Sequence, residues 1–454
     1  MRGALQFPLA LLLIMAAPAT ATVGAQQRPR ADTVRQPGDT LGLDSLRARL
    51  ARAEAAIALL REQLAGESES TVHTRSRLRV EVSAQVLTNG FVTLGRVNNV
   101  DVPQTVLPPP PAGAAPPTND ALGFTLRQTR VGASVSVERV LGATFSGDVD
   151  FDLYGGVQNG PGDRRLFPEP RLRTAHALLV WPRTEFMVGS DAPLISMLNP
   201  MSLASVGIPD FSAAGNLWNW LAQARITREL AAFGQGARSV RLAIQGAVMA
   251  PYANTLGALE PDAVDAAERS GRPALEGRLR FRWGDEEDRF ITGTALIGNP
   301  GGEIGVGIHR GWVALAPGVV ENSHAISLDV HVVPMRGVEL RGEAYGGQLL
   351  RGLGGGGIAQ NLGPTGEPVR DVAGWVQLNV QPHPVFMTGI GCGIDVVDPD
   401  SNPARLQNTV CAVHAAWRPM QPLVIGVEYR QLGTRFTTGT FGARHVNLVL
   451  GFEL

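Results

Sequence analysis

The feature that most restricts this sequence is an alternation of apolar and polar residues with period two, which begins near Arg77 and persists to Leu454. Leu78, Val80, Val82, Ala84 and Val86 oppose Arg77, Arg79, Glu81, Ser83 and Gln85. Between Val140 and Tyr154, the residues Ala143, Phe145, Gly147, Val149, Phe151 and Leu153 alternate with Thr144, Ser146, Asp148, Asp150 and Asp152. Leu275, Gly277, Leu279, Phe281 and Trp283 oppose Glu276, Arg278, Arg280 and Arg282, and Ile326, Leu328, Val330 and Val332 oppose Ser327, Asp329 and His331. Val446, Leu448, Leu450, Phe452 and Leu454 do the same against His445, Asn447, Gly451 and Glu453. Successive side chains of a strand point to opposite faces, so each segment is a strand with one apolar and one polar face. About 16 such segments fit into residues 76–454, which predicts an all-β fold. A soluble sandwich would turn the polar faces to outside water; a transmembrane antiparallel β-barrel would turn the apolar faces to lipid and the polar ones to an aqueous lumen. Periodicity alone does not choose between them.

The first residues bear on that choice. Arg2 precedes an apolar run from Leu9 to Ala17, and small residues follow around Val23, Gly24 and Ala25. This is the layout of a secretory signal peptide over 1–25, cleaved after Ala25 to leave Gln26 first, with Ala21 as the alternative site. No later stretch approaches the ~20 apolar residues of a membrane-spanning helix, so an integral protein of this composition has to span as a barrel. The 54 glycines, 32 prolines and 18% charged residues suit many short strands and turns. A net charge of -1 gives no electrostatic ground for nucleic acid as a partner.

Residues 26–42 are polar, carry proline, and have no period that could bury a face, so they read as a flexible linker. In 43–66 the period changes: Leu43, Leu46, Leu50, Ala53, Ile57, Leu60 and Leu64 recur at alternating spacings of three and four, an a/d seam that predicts a short coiled-coil helix. In a parallel arrangement Arg49 faces Glu54 of the neighbouring chain, and the seam is compatible with a dimer or a trimer. A helix packed on its own domain would show the same stripe. Residues 67–75 form a second linker, and the barrel occupies 76–454.

The order of these elements, with a terminal strand HVNLVLGFEL, resembles the Gram-negative trimeric outer-membrane porins. Within them the phosphate-selective porin family and the dicarboxylate-type porins with an N-terminal coiled coil are similar. FTLRQTRVGASV near residue 124, RLRTAHALLVWPRTEFMVGSD from Arg171 and LRGEAYGGQLLRGLGGGGIAQ from Leu340 carry the likeness. The ending Phe452-Glu453-Leu454 departs from the aromatic terminus usual in such barrels. The resemblance implies a homotrimer in the outer membrane after Sec-type export, contacting lipid, that lets small hydrophilic solutes diffuse passively, with no cofactor and no enzymatic step. A tethering barrel and a barrel enzyme are the alternatives.

Counted from Arg77, the fifth strand ends near Asp191 and the sixth begins near Trp218, leaving the long connection DAPLISMLNPMSLASVGIPDFSAAGN. Pro193, Pro200 and Pro209 bar a regular strand across it, and connections of this length are usually functional or disordered. In the resembling porins the loop at this place folds inward, which implies a constriction carrying Asp191, Asn199, Asp210 and Asn216; an exposed external loop is the bland alternative. Arginines on polar faces would line the pore: Arg127, Arg130, Arg171, Arg173, Arg225, Arg241, Arg278, Arg280, Arg282 and Arg341, together with Asp148, Asp150 and Asp152. All 40 basic residues are arginine. That suits successive weak anion sites, or it reflects no more than genome composition and a lumen solvated by both signs.

Cys392 and Cys411 flank the turn-like VVDPDSNPARLQN and share the apolar phase with Ile390, Ile394, Val413 and Trp417. Export permits a disulfide between them; two separate thiols are the other possibility. The eight histidines lack the paired spacing of a metal site, and His324 and His331 fall on opposite strand faces. The run Gly354–Gly357 precedes no Lys-Ser/Thr, so it reads as a flexible strand connection and not as a phosphate loop.

Overall fold

The computed structural model describes residues 71–73, 78–111, 113–114, 120–155, 167–254, 264–284 and 297–454. The expected signal peptide, the linker 26–42 and the coiled-coil helix lie outside them. The elements in chain order are β1 (Thr71–His73), β2 (Leu78–Leu94), β3 (Ala121–Thr125), β4 (Arg130–Val140), β5 (Ala143–Asp152), β6 (Arg171–Trp181), β7 (Thr184–Asp191), β8 (Leu221–Phe233) and β9 (Val240–Met249). They continue as β10 (Ala274–Gly284), β11 (Gly301–Ala316), β12 (Val319–Met335), β13 (Val338–Gln348), β14 (Arg370–His383), β15 (Phe386–Val397), β16 (Arg405–Trp417), β17 (Leu423–Phe436) and β18 (Gly439–Glu453). With β3 and β4 both on β2, every strand from β4 on pairs antiparallel with the next in sequence, and β18 returns to β2, so that the sheet closes on itself. β3 and β4 both pair with β2 and are two parts of one wall strand, interrupted at Leu126–Thr129. The wall therefore has sixteen strands, and closure leaves it no free edge.

The burial pattern settles what the period left open. On β11, Val306 and Ile308 are 49% and 59% exposed, whereas Glu303 and His309 are 1% and 6%. Leu448 and Leu450 point outward on β18, while Asn447 and His445 are fully buried. Water would reject such an apolar exterior. A bilayer accepts it, and the polar faces turn inward.

Two local readings change. The strand read from Val140 to Tyr154 begins only at Ala143, because Leu141 and Gly142 both take positive φ and form a two-residue hairpin turn. In the segment expected to be a linker, Thr71–His73 pairs with Arg79–Glu81 of β2. Short turns such as 141–142, 336–337 and 384–385 join strands at one end of the barrel. The long connections 192–220 and 349–369 stand at the other.

Candidate functional site

The connection 192–220, after the fifth wall strand β7, folds into the barrel. Its apolar residues pack against the inner wall in sequence. Leu194, Ile195 and Leu217 meet Ala247, Ala325, Tyr345 and Ala373; Leu198, Phe211 and Ala214 meet Trp375, Val410, Ala412 and Leu432; Leu203 and Val206 meet Leu87, Ala416, Val424 and Val449. The wall beneath is made of small residues. A Cβ at Gly393 would fall 2.1 Å from the carbonyl oxygen of Ala214, and one at Gly307 only 3.1 Å from Ile195. The sequence thus leaves room for the loop in the wall itself.

Polar wall residues fasten the loop at the groups a bent backbone leaves unpaired. The Leu194 amide donates to Glu276. Ser196 Oγ and the Leu198 amide donate to Glu343 at 2.6 and 2.8 Å. Gln377 accepts from the Met201 amide and donates to its carbonyl. Ser202 Oγ donates to Glu428, and Gln128 accepts from the amides of Val206 and Gly207. Farther on, Asn408 donates to the Ala213 carbonyl. Buried backbone groups need such partners, and each bond left unmade would cost about 1–3 kcal/mol.

The second inward connection is 349–369, and its glycine run is no loose linker. Gly354 and Gly355 have φ of +116° and +120°, and a Cβ on either would strike the backbone of Trp218 or Ala213 in the first loop. The amides of Gly357 and Ile358 donate to the buried carboxylates of Asp371 and Asp395 at 2.7 and 2.8 Å. The run does cradle anions, but they are the chain's own. Its signal in the sequence was the absence of any residue with a side chain.

The loops pack mainly against β11 to β18 and β2, and the first reaches β9 and β10 at Ala247 and Glu276. Beside β4 to β10 they leave a cavity of about 460 Å³, lined among others by Arg130, Asp148, Arg173, His176, Glu185, Asp191, Asn199, Trp220, Arg225, Arg280 and Arg282. Eight of those residues were singled out from the sequence, namely Arg130, Arg173, Arg225, Arg280, Arg282 and Asp148 for the wall and Asp191 and Asn199 for the constriction. Sequence reasoning passed over Glu185, His176 and Trp220. Glu185 and His176 sit on the inward phase of β7 and β6, which was the available signal.

Most of the charges are paired. Arg130 binds Asp150. Arg173 lies 3.6 Å from both Asp150 and Asp152, and its guanidinium is 4.6 Å from the ring centre of Trp220. Arg225 meets Asp191 at 3.3 Å, and His176 meets Asp148 at 3.0 Å. The other candidates stand elsewhere. Arg127 is buried against Asp101 and stacked 3.5 Å over Tyr154. Arg171 bridges Asp152 and the Gly207 carbonyl. Arg241 pairs with Glu229. Arg278 is enclosed by Asp329, Glu303 and Gln245, and Arg341 by Glu339 and the Asn199 carbonyl. Asp210 is buried on Arg430 at 2.7 Å, and Asn216 donates to Asn199 and to the Asp210 carbonyl.

On the inner faces of β10, β11 and β12, Glu276, His309 and Ser323 stand in a row. His309 Nδ1 is 2.9 Å from Glu276, and Nε2 is 3.2 Å from Ser323 Oγ. Acyl transfer uses such an order of groups. Here the Ser323 hydroxyl donates to the Leu349 carbonyl, and the second Glu276 oxygen holds the Leu194 amide, so the row ties both inward loops to the wall. Cys392 and Cys411 are directly opposed across β15 and β16 and form a disulfide on the outward face. His324 is exposed and His331 buried, and among the described residues no group of His, Cys, Asp or Glu gathers as a metal cage.

No protein-family profile matches the sequence, and no curated protein matches it. Among solved structures, the chain is similar to the outer membrane channel DcaP of Acinetobacter baumannii, at 13% identity over 85% of this chain and 100% of that one, with a TM-score of 0.59. Weaker likenesses are to an anion-selective porin from Comamonas acidovorans (10% identity, 83% and 100% covered, TM-score 0.49) and to OmpT of Vibrio cholerae (8%, 84% and 100%, 0.48). At such identity the likeness speaks to fold, and it agrees with the strand order: the chain is built as a closed, sixteen-stranded antiparallel barrel.

Proposed function

We propose that this chain is an outer-membrane porin, exported by the Sec route, through which small hydrophilic solutes diffuse passively. The observation that carries the reading is the polar cavity left between the inward loop 192–220 and the β4 to β10 wall. Sixteen strands enclose more space than side chains can fill, and here the loops fill only one side of it. Asp191 and Asn199 border the opening. Asp210 and Asn216 hold the loop's shape from behind. The solutes pass among arginines and carboxylates that are mostly neutralised in pairs, which supports weak, short-lived contacts and not a deep trap. We assign the pore a preference for anions and the seam Leu43, Leu46, Leu50, Ala53, Ile57, Leu60 and Leu64 the role of a periplasmic trimer clasp.

Purified protein in planar bilayers is expected to give discrete current steps that close in threes, with a reversal potential on the anion side in a salt gradient. Absence of steps would overturn the porin, and a cation-side potential would overturn the anion preference. Deleting 43–64 is expected to weaken the oligomer on unheated gels while leaving conductance; unchanged oligomer stability would remove the clasp.

A further inference from the structure

Of the ten arginines the sequence placed in the lumen, nine meet a carboxylate, and one does not. Arg280 lines the cavity, half-buried, and makes no ion pair or hydrogen bond among the described residues. The reason is its register. Directly opposite it stand Ala243 on β9 and Gly305 on β11, which offer no side-chain acceptor on either side. The nearest acids are already taken. Glu303, diagonal to it on β11, accepts from Arg278 at 2.8 Å and from Arg282 at 2.9 Å, and Asp329 accepts from Arg278. Three arginines thus face two carboxylates, and the surplus charge is that of Arg280. The unpaired acid in the same cavity, Glu185, is on β7, three strands away. It acts on Arg280 only across the cavity, with no direct contact.

We propose that Arg280 is the specificity-determining residue of the pore, the one position where a passing oxyanion, carboxylate or phosphate, is held by a guanidinium fork. The proposal rests on the porin reading and deepens it: charge preference is set at one point of the wall and not spread along ten arginines. A forked donor with no internal partner offers two parallel hydrogen bonds to an oxyanion, which an ammonium cannot reproduce.

The test uses the full-length protein and two conservative variants whose folding is checked by heat-modifiable gel mobility. In a KCl gradient, Arg280→Gln is expected to lower the anion-to-cation permeability ratio about threefold or more, the effect of one unit charge at ~6 Å in water. Arg280→Lys should keep the KCl selectivity and lose current block by inorganic phosphate. An unchanged reversal potential in Arg280→Gln, with wild-type conductance steps present, overturns the proposal and leaves the porin intact. Titration calorimetry with inorganic phosphate on the detergent-solubilised protein reads the site without conduction: binding lost in Arg280→Gln supports it, and equal binding in both proteins overturns it. A wild type that conducts nothing overturns the porin reading instead.

Discussion

The two sides of the barrel wall are built from the same alternating strands and use their inward faces in different ways. From β11 through β18 to β2, the inner face is covered. Small residues such as Ala325, Ala373, Ala412 and Gly393 let the loop 192–220 approach, Glu343, Gln377 and Asn408 bind its backbone, and Glu428 accepts from the Ser202 hydroxyl. From β4 to β10 the inner face borders the cavity, where its long charged residues bind one another and, at Arg171, Arg173 and Arg225, carbonyls of the same loop. A polar face inside a barrel can therefore serve as the floor of a packed core or as the wall of an aqueous path. What decides is the size of the residues between the polar ones.

The comparison is broken most forcefully at its boundary, where Arg278 binds Asp329 and Glu303. Arg278→Ala is expected to leave the buried Asp329 without its partner and Glu303 with Arg282 alone, and to cost about 3–5 kcal/mol of stability. The check is urea unfolding in lipid, with a wild-type midpoint counting against it. Arg241→Ala, at an arginine that is not buried, should cost under ~1 kcal/mol, as exposed pairs do. If the two variants were equally damaging, the distinction between a closed network and a wet wall would fail.

On the covered side, Glu343→Leu removes the acceptor of Ser196 and Leu198, at about 1–3 kcal/mol for each buried group left unsatisfied. Its more telling consequence is functional. The loop loses a fastening point, so single-channel conductance should rise and current noise increase, whereas Arg280→Gln on the open side should change ion selectivity and leave noise alone. Conductance that stayed at the wild-type value in Glu343→Leu would mean that the packed residues hold the loop without the glutamate. Smaller again is Gly355→Ala, which forces a Cβ to 2.8 Å from the Ala213 amide nitrogen at a φ of +120°. Strain of about 1–3 kcal/mol is expected, read as a lower temperature for loss of the folded gel band.

Much of this contrast was legible in residues and some of it was not. Period two gave the strands and the face of every residue, because face depends only on position along a strand. The long segment after the fifth strand was visible through its length and its three prolines. The pairing of Arg278 with Asp329, 51 residues away, was not, since it depends on which strands become neighbours twice removed. Nor was the solitude of Arg280, which is a property of Ala243 and Gly305 opposite it. Ten arginines look alike along the chain; register makes one of them different. The glycine run at 354–357 was read as slack for the same reason, because the backbone it must clear belongs to a loop more than a hundred residues earlier.

The smallest expected effect concerns neither inner face. Cys392 and Cys411 are opposed in register on the outward side of β15 and β16, among Ile390, Ile394 and Val413. Those strands are already held by a continuous ladder from Phe386 with Trp417 to Val396 with Gln407, and each has a second neighbour in the closed wall. The cross-link spans a separation of 19 residues, so the chain it constrains in the unfolded state is short. By loop length its contribution is about 3 kcal/mol, and none of it falls on the lumen, which is where the effect is smallest. The double variant Cys392→Ala, Cys411→Ala should therefore fold, conduct with unchanged selectivity and differ only in unfolding earlier. If it failed to assemble, or if its selectivity moved, the outer surface of β15 and β16 would be coupled to the lumen, and the independence of inner and outer faces, on which the contrast between the two walls depends, would not hold.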